Sequence, residues 1–383
     1  MRIALVHDYF TQLGGAEKVA EEIACLLPSA SIYSTVALKA SLPPGLAGRD
    51  IHTSWMQRLP FMKKGYRLYF PLYPLGVESL DLTSYDLVIS SSSGYAKGIR
   101  TRPDATHICY CHTPMRWAWE FDRYSAREKN AQLMRLLLPQ VVKRLQKWDL
   151  EASRLPDYFL TNSQTVANRI SQFYGRTARV IHPPIDIDRF RPSDDHQDYY
   201  LVLARMVSYK RFDLAIQACT ALNRRLIVIG DGPDRARLES LAGPTVSFLG
   251  CVSDLEVEHY ASRCRALIYA GEEDFGMALL EVAAAGRPTI AYRAGGATET
   301  IVEGQTGIFF DRQQPGDLAQ AILEFERMTW NPSVLRAHAY KFRIEAFQSA
   351  FFDFLAEVGH PVVDPPAVSL FCEKFDAAVP QVP

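Results

Sequence analysis

Short runs of apolar residues recur along the chain, and several of them are separated by stretches with helical spacing. Apolar runs bounded by turn residues are typical of strands buried on both faces of a parallel sheet. They predict strands at residues 2–6, 85–90, 106–112, 157–162, 199–204, 226–230, 246–250, 267–269 and 288–292. Helical spacing predicts helices at residues 16–27, 212–222, 277–285 and 334–358. Because strands and helices alternate in both halves, the pattern predicts two successive βαβ series.

The length of the chain is sufficient for two such folding units. With 383 residues, of which 48% are apolar, it can bury two Rossmann-sized cores. A proline-rich, polar connection near residues 183–198 is the best candidate linker. We therefore predict an N-terminal domain at 1–192 and a C-terminal domain at 193–340, then a helix at 341–360 that returns to the first domain. A proline-rich tail at 361–383 follows.

Charge and cysteine content exclude several classes of protein. A net charge of -1 argues against a dedicated nucleic-acid binder, which would be strongly basic. The seven cysteines are scattered and odd in number, which favours reduced thiols in the cytosol. No apolar run reaches signal-peptide or membrane-spanning length. We expect a cytoplasmic protein that is soluble or associated with the inner face of the cytoplasmic membrane.

The most informative stretch is residues 270–286, where an acidic loop runs into a short helix that Gly286 ends. The first N–H groups of a helix carry partial positive charge, so a diphosphate fits at this helix start. The backbone expected to bind it belongs to Phe275, Gly276, Met277, Ala278 and Leu279. Glu273 and Glu281 flank that site and would accept hydrogen bonds from sugar hydroxyls, which suggests a nucleotide sugar. An ordinary acidic turn and a solvated helix glutamate are the structural alternative.

Two cations in the second half complement this site. Arg205 follows the strand predicted at 199–204, and Lys210 lies at the start of the next helix. Fixed cations stabilise the negative charge that develops on a departing diphosphate. No Asp-x-Asp metal motif stands out, so we expect these side chains to replace a metal ion and predict no metal or cofactor. A pair of surface cations is the alternative.

The first half offers two further candidate groups. Gly14 and Gly15 end a loop between a predicted strand and a predicted helix, which is a phosphate-approach geometry, although glycine pairs also form ordinary turns. His112 lies at the carboxyl end of a predicted strand, where ligands bind in doubly wound sheets. A structural histidine is the alternative.

Two stretches combine basic and apolar residues. Residues 61–75, from Phe61 to Leu75, mix aromatic rings with three cations and contain no acid. Residues 129–147, from Lys129 to Lys147, place five cations among seven leucine and valine residues. Both compositions suit the headgroup region of an anionic membrane. For 61–75, a core helix with a basic outer edge is an equal alternative.

The motifs quoted above, in this order along the chain, resemble retaining glycosyltransferases of family 4. The resemblance is carried by Glu273 and Glu281 with seven residues between them, the Arg205 and Lys210 pair, and the glycine turns. It implies the α/β GT-B fold, in which two Rossmann-like domains face a cleft. It assigns catalytic roles to His112, Arg205, Lys210 and Glu273, brings Gly14 and Gly15 to the donor phosphates, and places Val252 beside the base. On the acceptor side lie Arg116, Trp117, Trp119 and Glu120. Asp274, beside Glu273, leaves open which carboxylate contacts the hexose.

Three local segments are similar to bacterial polysaccharide mannosyltransferases: His-Asp-Tyr at 7–9, Gly-Gly-Ala-Glu-Lys at 14–18 and Cys-His-Thr-Pro-Met-Arg-Trp at 111–117. This similarity implies transfer of mannose from GDP-mannose to a glycan acceptor in polysaccharide or lipopolysaccharide biosynthesis. The two stretches of basic and apolar residues favour a lipid-linked acceptor. A UDP-sugar epimerase of the same fold and a catalytically silent assembly module are the alternatives.

Overall fold

The structure, a computed structural model, describes residues 1–120 and 134–362. Strands in this part of the chain are β1 Ile3–His7, β2 Ser31–Ser34, β3 Ile51–Thr53, β4 Leu87–Ser92, β5 Thr106–Cys111, β6 Tyr158–Thr161, β7 Arg179–Val180, β8 Tyr200–Leu203, β9 Leu226–Ile229, β10 Val246–Gly250, β11 Ala266–Tyr269, β12 Thr289–Tyr292 and β13 Gly307–Phe310.

The α-helices of the described residues are α1 Gly15–Leu26, α2 Met62–Gly65, α3 Tyr73–Glu78, α4 Arg116–Trp119, α5 Met134–Ala152, α6 Gln164–Tyr174, α7 Phe212–Ala221, α8 Arg235–Glu239, α9 Asp254–Arg263, α10 Met277–Ala284, α11 Ala297–Thr300, α12 Pro315–Phe325, α13 Pro332–Ala339 and α14 Ile344–Glu357. None of the helices in the described ranges has both the length and the apolarity needed to cross a bilayer.

Contacts along the chain group these elements into two compact units. Unit 1 contains Met1–Cys111, Trp148–Tyr158 and the chain from residue 348 onward. Unit 2 contains His112–Lys147 and Phe159–Phe347. This grouping differs from the domain boundaries inferred from the sequence, which stay a prediction.

Unit 1 is built on a parallel sheet with the strand order β3-β2-β1-β4-β5. Every residue of β1 and β4 is buried, as expected for central strands covered on both faces. The second part of α14 belongs to this unit, as the predicted fold requires. There Gln348 donates to a carboxylate oxygen of Glu22 at 2.8 Å, and His360 contacts Thr106 at 2.7 Å.

Unit 2 contains a six-stranded parallel sheet with the order β10-β9-β8-β11-β12-β13. From β8 the chain adds β9 and β10 on one side, and it then returns to add β11, β12 and β13 on the other. The order therefore reverses between the adjacent strands β8 and β11. In doubly wound sheets ligands bind outside the carboxyl ends of the strands at such a reversal.

The last predicted helix is corrected by the structure. The sequence pattern predicts one helical stretch over 334–358, whereas α13 ends at Ala339 and α14 begins at Ile344. Between them the backbone of Arg343 is extended and forms a parallel bridge with Ile185. The amide N–H of Ile185 also donates to the carbonyl of Phe342 at 3.0 Å. This tertiary pairing interrupts a pattern whose periodicity alone is continuous.

The stretch at 61–75 is an irregular run of short helices. It contains α2, a 3-10 segment at Tyr66–Leu72 with Pro71 inside, and the start of α3. Met62 and Tyr73 are buried, whereas Phe61 is 85% exposed and Leu68 is 77% exposed. The stretch thus anchors itself in unit 1 and also presents large apolar side chains at the surface.

The second basic stretch falls partly outside the described residues. Of 129–147, the part from Met134 onward lies in α5. Val142 and Leu145 are buried, while Lys143 and Arg144 are exposed. In the described part the apolar side of this helix is therefore used in packing. Most of the tail predicted at 361–383 also lies outside the described residues.

Candidate active site

The reversal point between β8 and β11 brings together the two motifs of the second half. Arg205 and Lys210 follow β8, and the acidic loop at 270–276 follows β11. Since β8 and β11 are hydrogen-bonded neighbours, both segments leave the same edge of the sheet. The sequence separates the two motifs by more than 60 residues, and the parallel pairing removes that separation.

The start of α10 has the geometry that the sequence predicts. Gly276 is the N-cap, with φ of +89°, a left-handed conformation that glycine adopts without strain. A Cβ at this position would lie 2.7 Å from the side chain of Leu279. The N–H of Leu279 donates back to the carbonyl of Gly276 at 3.0 Å. Helix geometry leaves the N–H groups of Met277 and Ala278 without an intrahelical acceptor, so they suit an anion.

Phe275 contributes to this helix start through its backbone alone. Its side chain is 3% exposed and stacks on the imidazole of His182, with ring centroids 5.3 Å apart. The ring of Phe342 packs against both. Phe275 thus anchors the acidic loop in the core of unit 2.

Lys210 and Glu273 form a direct ion pair, and each side chain is 16% exposed. Tyr209 and Tyr269 surround the ammonium group, with ring centroids 5.6 and 5.9 Å from Nζ. Burial by itself lowers the pKa of Lys210, but the carboxylate of Glu273 outweighs it, so that the pKa lies above its usual value. Burial and the same carboxylate raise the pKa of Tyr269 well above its usual value, so its neutral hydroxyl bonds to Glu273.

Two arginines hold the other carboxylates of the acidic loop, and we call them the arginine clamp. Arg169, on α6, donates to Glu272 at 2.9 Å and also pairs with Asp274. Arg116, on α4, donates to the carbonyl of Glu272 at 3.2 Å and lies 3.5 Å from Asp274. Glu120 contacts both arginines, at 3.3 and 3.8 Å. The two guanidinium side chains are only 11% and 10% exposed.

The clamp explains how an acidic loop can border an anion site. Three adjacent carboxylates would repel a diphosphate, but Lys210 compensates Glu273, and the clamp compensates Glu272 and Asp274. Arg169 was not among the site residues predicted from the sequence. It lies 103 and 105 residues from its partners, and such pairings leave no local signal.

A second set of contacts fixes the backbone of the loop. The turn at Gly295 and Gly296 packs directly on it, since a Cβ on Gly296 would lie 2.3 Å from the Cα of Phe275. The N–H of Gly296 donates to the carbonyl of Glu273 at 2.9 Å. This glycine pair was expected to allow a close approach, and the partner that approaches is the acidic loop itself.

The start of α6 is tied to the same region. Ser163 caps this helix, and its hydroxyl also donates to the carbonyl of Asp274 at 2.6 Å. The carboxylate of Glu299 accepts from the N–H groups of Gln164 and Thr165 at 2.7 and 2.8 Å. Unit 2 therefore holds the acidic loop from α6 on one side and from the Gly295 turn on the other.

The remaining predicted donor residues are placed as follows. His112 directly follows β5 and is 7% exposed, and its carbonyl accepts from Asn162 at 2.9 Å. Glu281 lies one turn inside α10, and Val252 packs against the core of unit 2. The charge of Glu281 acts on Arg189, whose pKa is lowered by burial but raised overall by Glu258, Asp254 and Glu281. Their roles toward a ligand stay predictions.

The predicted acceptor residues are largely engaged within unit 2. Arg116 and Glu120 belong to the clamp network, and the indole of Trp119 stacks on Phe173 with centroids 4.9 Å apart. Trp117 is partly exposed. Gly14 and Gly15 lie in unit 1, where Gly14 is the N-cap of α1. Neither the acceptor roles nor the approach of this glycine loop to phosphate is tested by these placements.

A metal site in a protein needs several His, Cys, Asp or Glu side chains close together. Within residues 1–120 and 134–362, no cluster of three or more His, Cys, Asp or Glu side chains has an arrangement that could hold a metal ion.

Comparison with known proteins places the chain in a family. Residues 13–189 match the model described as Glycosyltransferase Family 4, and residues 185–342 match the model described as Glycosyl transferases group 1. A GDP-mannose-dependent alpha-mannosyltransferase of Mycobacterium tuberculosis is 28% identical over 208 residues, which cover 50% of this chain and 54% of that protein. A D-inositol 3-phosphate glycosyltransferase of Acidothermus cellulolyticus is 27% identical over 61% of each chain. The chain thus spans about half the length of the curated relatives it matches.

Solved structures extend the comparison to the fold. HepE of Anabaena in complex with UDP-glucose superposes with a TM-score of 0.68 and 17% identity, over 93% of this chain and all of that one. The lipopolysaccharide outer core galactosyltransferase WaaB superposes with a TM-score of 0.64 and 17% identity, over 94% of this chain. Two parallel Rossmann-like sheets and these neighbours confirm the predicted α/β fold class. The chain belongs to glycosyltransferase family 4 and has the GT-B fold.

Proposed function

We propose that the protein is a retaining glycosyltransferase that moves a hexose from a nucleoside diphosphate sugar to a hydroxyl group of a glycan acceptor. The observation that carries this proposal is the Lys210–Glu273 pair beside the N-terminus of α10, at the strand reversal of the second sheet. It combines a cation for a diphosphate, helix amides for its oxygens and a carboxylate for a sugar hydroxyl. Family membership and the mannosyltransferase relatives support the same reading.

The reaction needs charge stabilisation more than a protein nucleophile. The bond between the anomeric carbon and the diphosphate oxygen breaks, and the acceptor oxygen bonds to that carbon on the same face. The departing phosphate oxygen takes the acceptor proton. Lys210 and Arg205 stabilise the charge gained by the diphosphate, together with the N–H groups of Met277 and Ala278.

Donor binding requires an exchange of partners at Lys210. Before the donor arrives, the ammonium group of Lys210 is paired with Glu273 and the hydroxyl of Tyr269 is bonded to the same carboxylate. A diphosphate that contacts Lys210 replaces one partner of Glu273, which can then accept a hydrogen bond from the hexose. The arginine clamp keeps Glu272 and Asp274 neutralised during this exchange.

GDP-mannose is the donor we propose. Support comes from the three sequence segments similar to bacterial polysaccharide mannosyltransferases and from relatives whose names include GDP-mannose. The structural neighbour HepE is described with UDP-glucose, which makes UDP-sugars the competing donors to test. In the family, backbone around Val252 meets the base, and such contacts give no guanine or uracil preference that can be read from the sequence.

We further propose a lipid-linked acceptor in bacterial polysaccharide or lipopolysaccharide biosynthesis, reached at the inner face of the cytoplasmic membrane. Exposed Phe61, Leu68 and Leu75 support it, with the exposed cation Arg67 in the same stretch and exposed Arg58 three residues before it. Aromatic and aliphatic side chains among cations bind the headgroup region of anionic bilayers.

Sedimentation with anionic liposomes tests the membrane proposal. We expect the wild type to sediment with them and the variant Phe61→Ser/Leu68→Ser to stay in the supernatant. Tyr340→Ser, which alters an exposed ring in unit 2, serves as the control. Full recovery of the wild type in the supernatant would contradict membrane association while leaving the transfer reaction untouched.

A donor panel tests the reaction itself. Incubation with GDP-mannose, UDP-glucose and UDP-galactose should release free nucleotide from GDP-mannose, slowly without acceptor and faster with a polyprenyl-linked glycan. Lys210→Ala should abolish the release, and Arg312→Gln, an exposed cation elsewhere in unit 2, should not. Appearance of an isomeric sugar nucleotide would indicate an epimerase, and no turnover of any donor would indicate a silent module.

A further inference from the structure

A second pocket lies at the opposite edge of the sheet in unit 2. Arg265 directly precedes β11, and Arg287 lies two residues before β12, so both are at the amino ends of strands whose carboxyl ends carry the acidic loop and the Gly295 turn. The pocket has a volume of about 240 Å³. His196, Glu326 and Trp330 also line it. No contact described above for the donor site involves these residues.

Arg287 is the most unusual group in this pocket. Its side chain belongs to a residue that is only 6% exposed. It donates to the carbonyls of Ser262 and Ser193, each at 2.7 Å, and contacts Nδ1 of His196. Among the described residues no carboxylate lies within ion-pair distance of it. Buried charges in proteins are normally paired, because an isolated ion loses several kcal/mol of hydration.

The guanidinium also has unused hydrogen-bonding capacity. An arginine carries five N–H donors, and three contacts are accounted for, so two N–H groups remain. Burial lowers the pKa of Arg287 below its usual value, although Cys264, Tyr199 and Asp194 act in the other direction. The surrounding protein therefore supplies less negative charge than this cation needs.

Trp330 also lines this pocket. Its indole ring stacks on Phe325, with centroids 5.3 Å apart and planes 19° from parallel. Its Nε1 is buried and has no hydrogen-bond partner among the described residues. An indole N–H can only donate, so it needs an acceptor.

The carboxylate in the pocket wall already has partners. Glu326 accepts from Arg224 at 2.8 and 2.9 Å and from the hydroxyl of Tyr200 at 3.0 Å. Arg265 lies 3.6 Å from Glu326 and pairs with Asp198 at 2.9 Å. These contacts neutralise the charge of Glu326. Of the two arginines that line the pocket, Arg265 pairs with carboxylates, and Arg287 has none within ion-pair distance among the described residues.

We propose that this pocket binds a small oxyanion, of the phosphate or carboxylate class, through Arg287 and the indole N–H of Trp330. The anion supplies the negative charge that Arg287 lacks and the acceptor that Trp330 lacks. The volume admits a phosphate group or a short carboxylate and is below the range typical of drug-sized ligands. The proposal does not depend on the glycosyl-transfer reaction, since it concerns the other edge of the sheet.

Equilibrium dialysis of the full chain with labelled inorganic phosphate, and in parallel with labelled acetate, tests it at constant ionic strength. Lys210→Ala weakens phosphate binding at the donor site, so the anion that this variant retains reports mainly on the second pocket. In the Lys210→Ala background we expect Arg287→Gln to weaken binding more than tenfold. Trp330→Phe, which keeps the stacked ring and removes only the N–H, should weaken it about three- to tenfold. Arg312→Gln is the matched control and should leave binding unchanged.

Comparison of the two anions identifies the class, since whichever is retained by Lys210→Ala occupies the pocket. If Arg287→Gln fails to fold, the anion affinity of Trp330→Phe in the same dialysis experiment tests the proposal. The proposal is overturned if neither anion binds at millimolar concentration, which would leave the pocket to water. It is also overturned if Lys210→Ala abolishes all binding, or if Trp330→Phe binds as tightly as the wild type.

Discussion

Replacing Glu273 by glutamine should change product binding and catalysis in opposite directions. Glu273 is the partner of Lys210, and a diphosphate must compete with it for the ammonium group. In Glu273→Gln the shape is kept, but the competing negative charge is removed. A nucleoside diphosphate without its sugar makes no use of Glu273, so it should bind the variant more tightly.

The magnitude follows from the burial of the pair. Both side chains are 16% exposed, so the pair is largely desolvated and belongs with charged hydrogen bonds worth roughly 1.5–3 kcal/mol. If half of this, roughly 0.75–1.5 kcal/mol, is recovered when the competitor is removed, GDP or UDP affinity rises about three- to tenfold, since 1.4 kcal/mol is a factor of ten. Loss of the charged acceptor for the hexose should at the same time lower kcat/KM about 100-fold.

Isothermal titration with GDP and UDP, beside initial rates on the preferred donor, measures both effects. Glu303→Gln is the matched control, because Glu303 pairs with Arg293 at the surface of the same unit and is 52% exposed. The control should leave both quantities within about twofold of the wild type. The reasoning is refuted if Glu273→Gln binds the nucleoside diphosphate as weakly as the wild type or more weakly.

Three further predictions concern stability. Arg169→Gln leaves Glu272 without its cation and Asp274 with Arg116 alone, and it should cost about 3 kcal/mol. Arg293→Gln, in an exposed pair, should cost at most about 1 kcal/mol, and equal Tm losses in the two variants would contradict the clamp. Lys97 and Asp149 form a fully buried ion pair, so Lys97→Met should lower Tm strongly by leaving the Asp149 carboxylate without its cation. The double variant Lys97→Met/Asp149→Leu should recover most of the lost Tm, and no recovery would count against an electrostatic cause. Burial lowers the pKa of His107 to about 3, despite a hydrogen bond to the backbone of Leu155 that raises it. Because the unfolded chain takes up this proton below about pH 6.5, stability should fall from pH 6.5 toward pH 3, by about 2 kcal/mol at pH 5, and His107→Gln should flatten the Tm profile in that window.

Much of the fold is readable from the sequence because its central strands are continuous apolar runs. The strands β5 and β10 and the helix α10 lie where the pattern predicts them, within one or two residues. The short strands β2 and β3 were not predicted. In β2 partly exposed and buried residues alternate, β3 has no buried residue, and neither run is continuously apolar. Strands near the edge of a sheet need less burial, so their signal is weaker.

The candidate site was predictable in its parts, but its internal pairing was not. Glu273, Lys210 and Gly276 each carry a local signal, since a strand end, a helix start or a glycine can be read along the chain. Their direct contacts depend on which strands are neighbours, and periodicity contains no such information. The same holds for the arginine clamp, whose members come from α4 and α6 and meet the acidic loop only in the folded unit.

A crystal structure of the full chain with bound GDP, repeated with UDP, would test the central claim most directly. The account predicts the diphosphate at the N-terminus of α10, within hydrogen-bond distance of the N–H groups of Met277 and Ala278, with Lys210 turned from Glu273 toward a phosphate oxygen. A nucleotide bound away from residues 273–281, or one that leaves the Lys210–Glu273 pair intact, would contradict it.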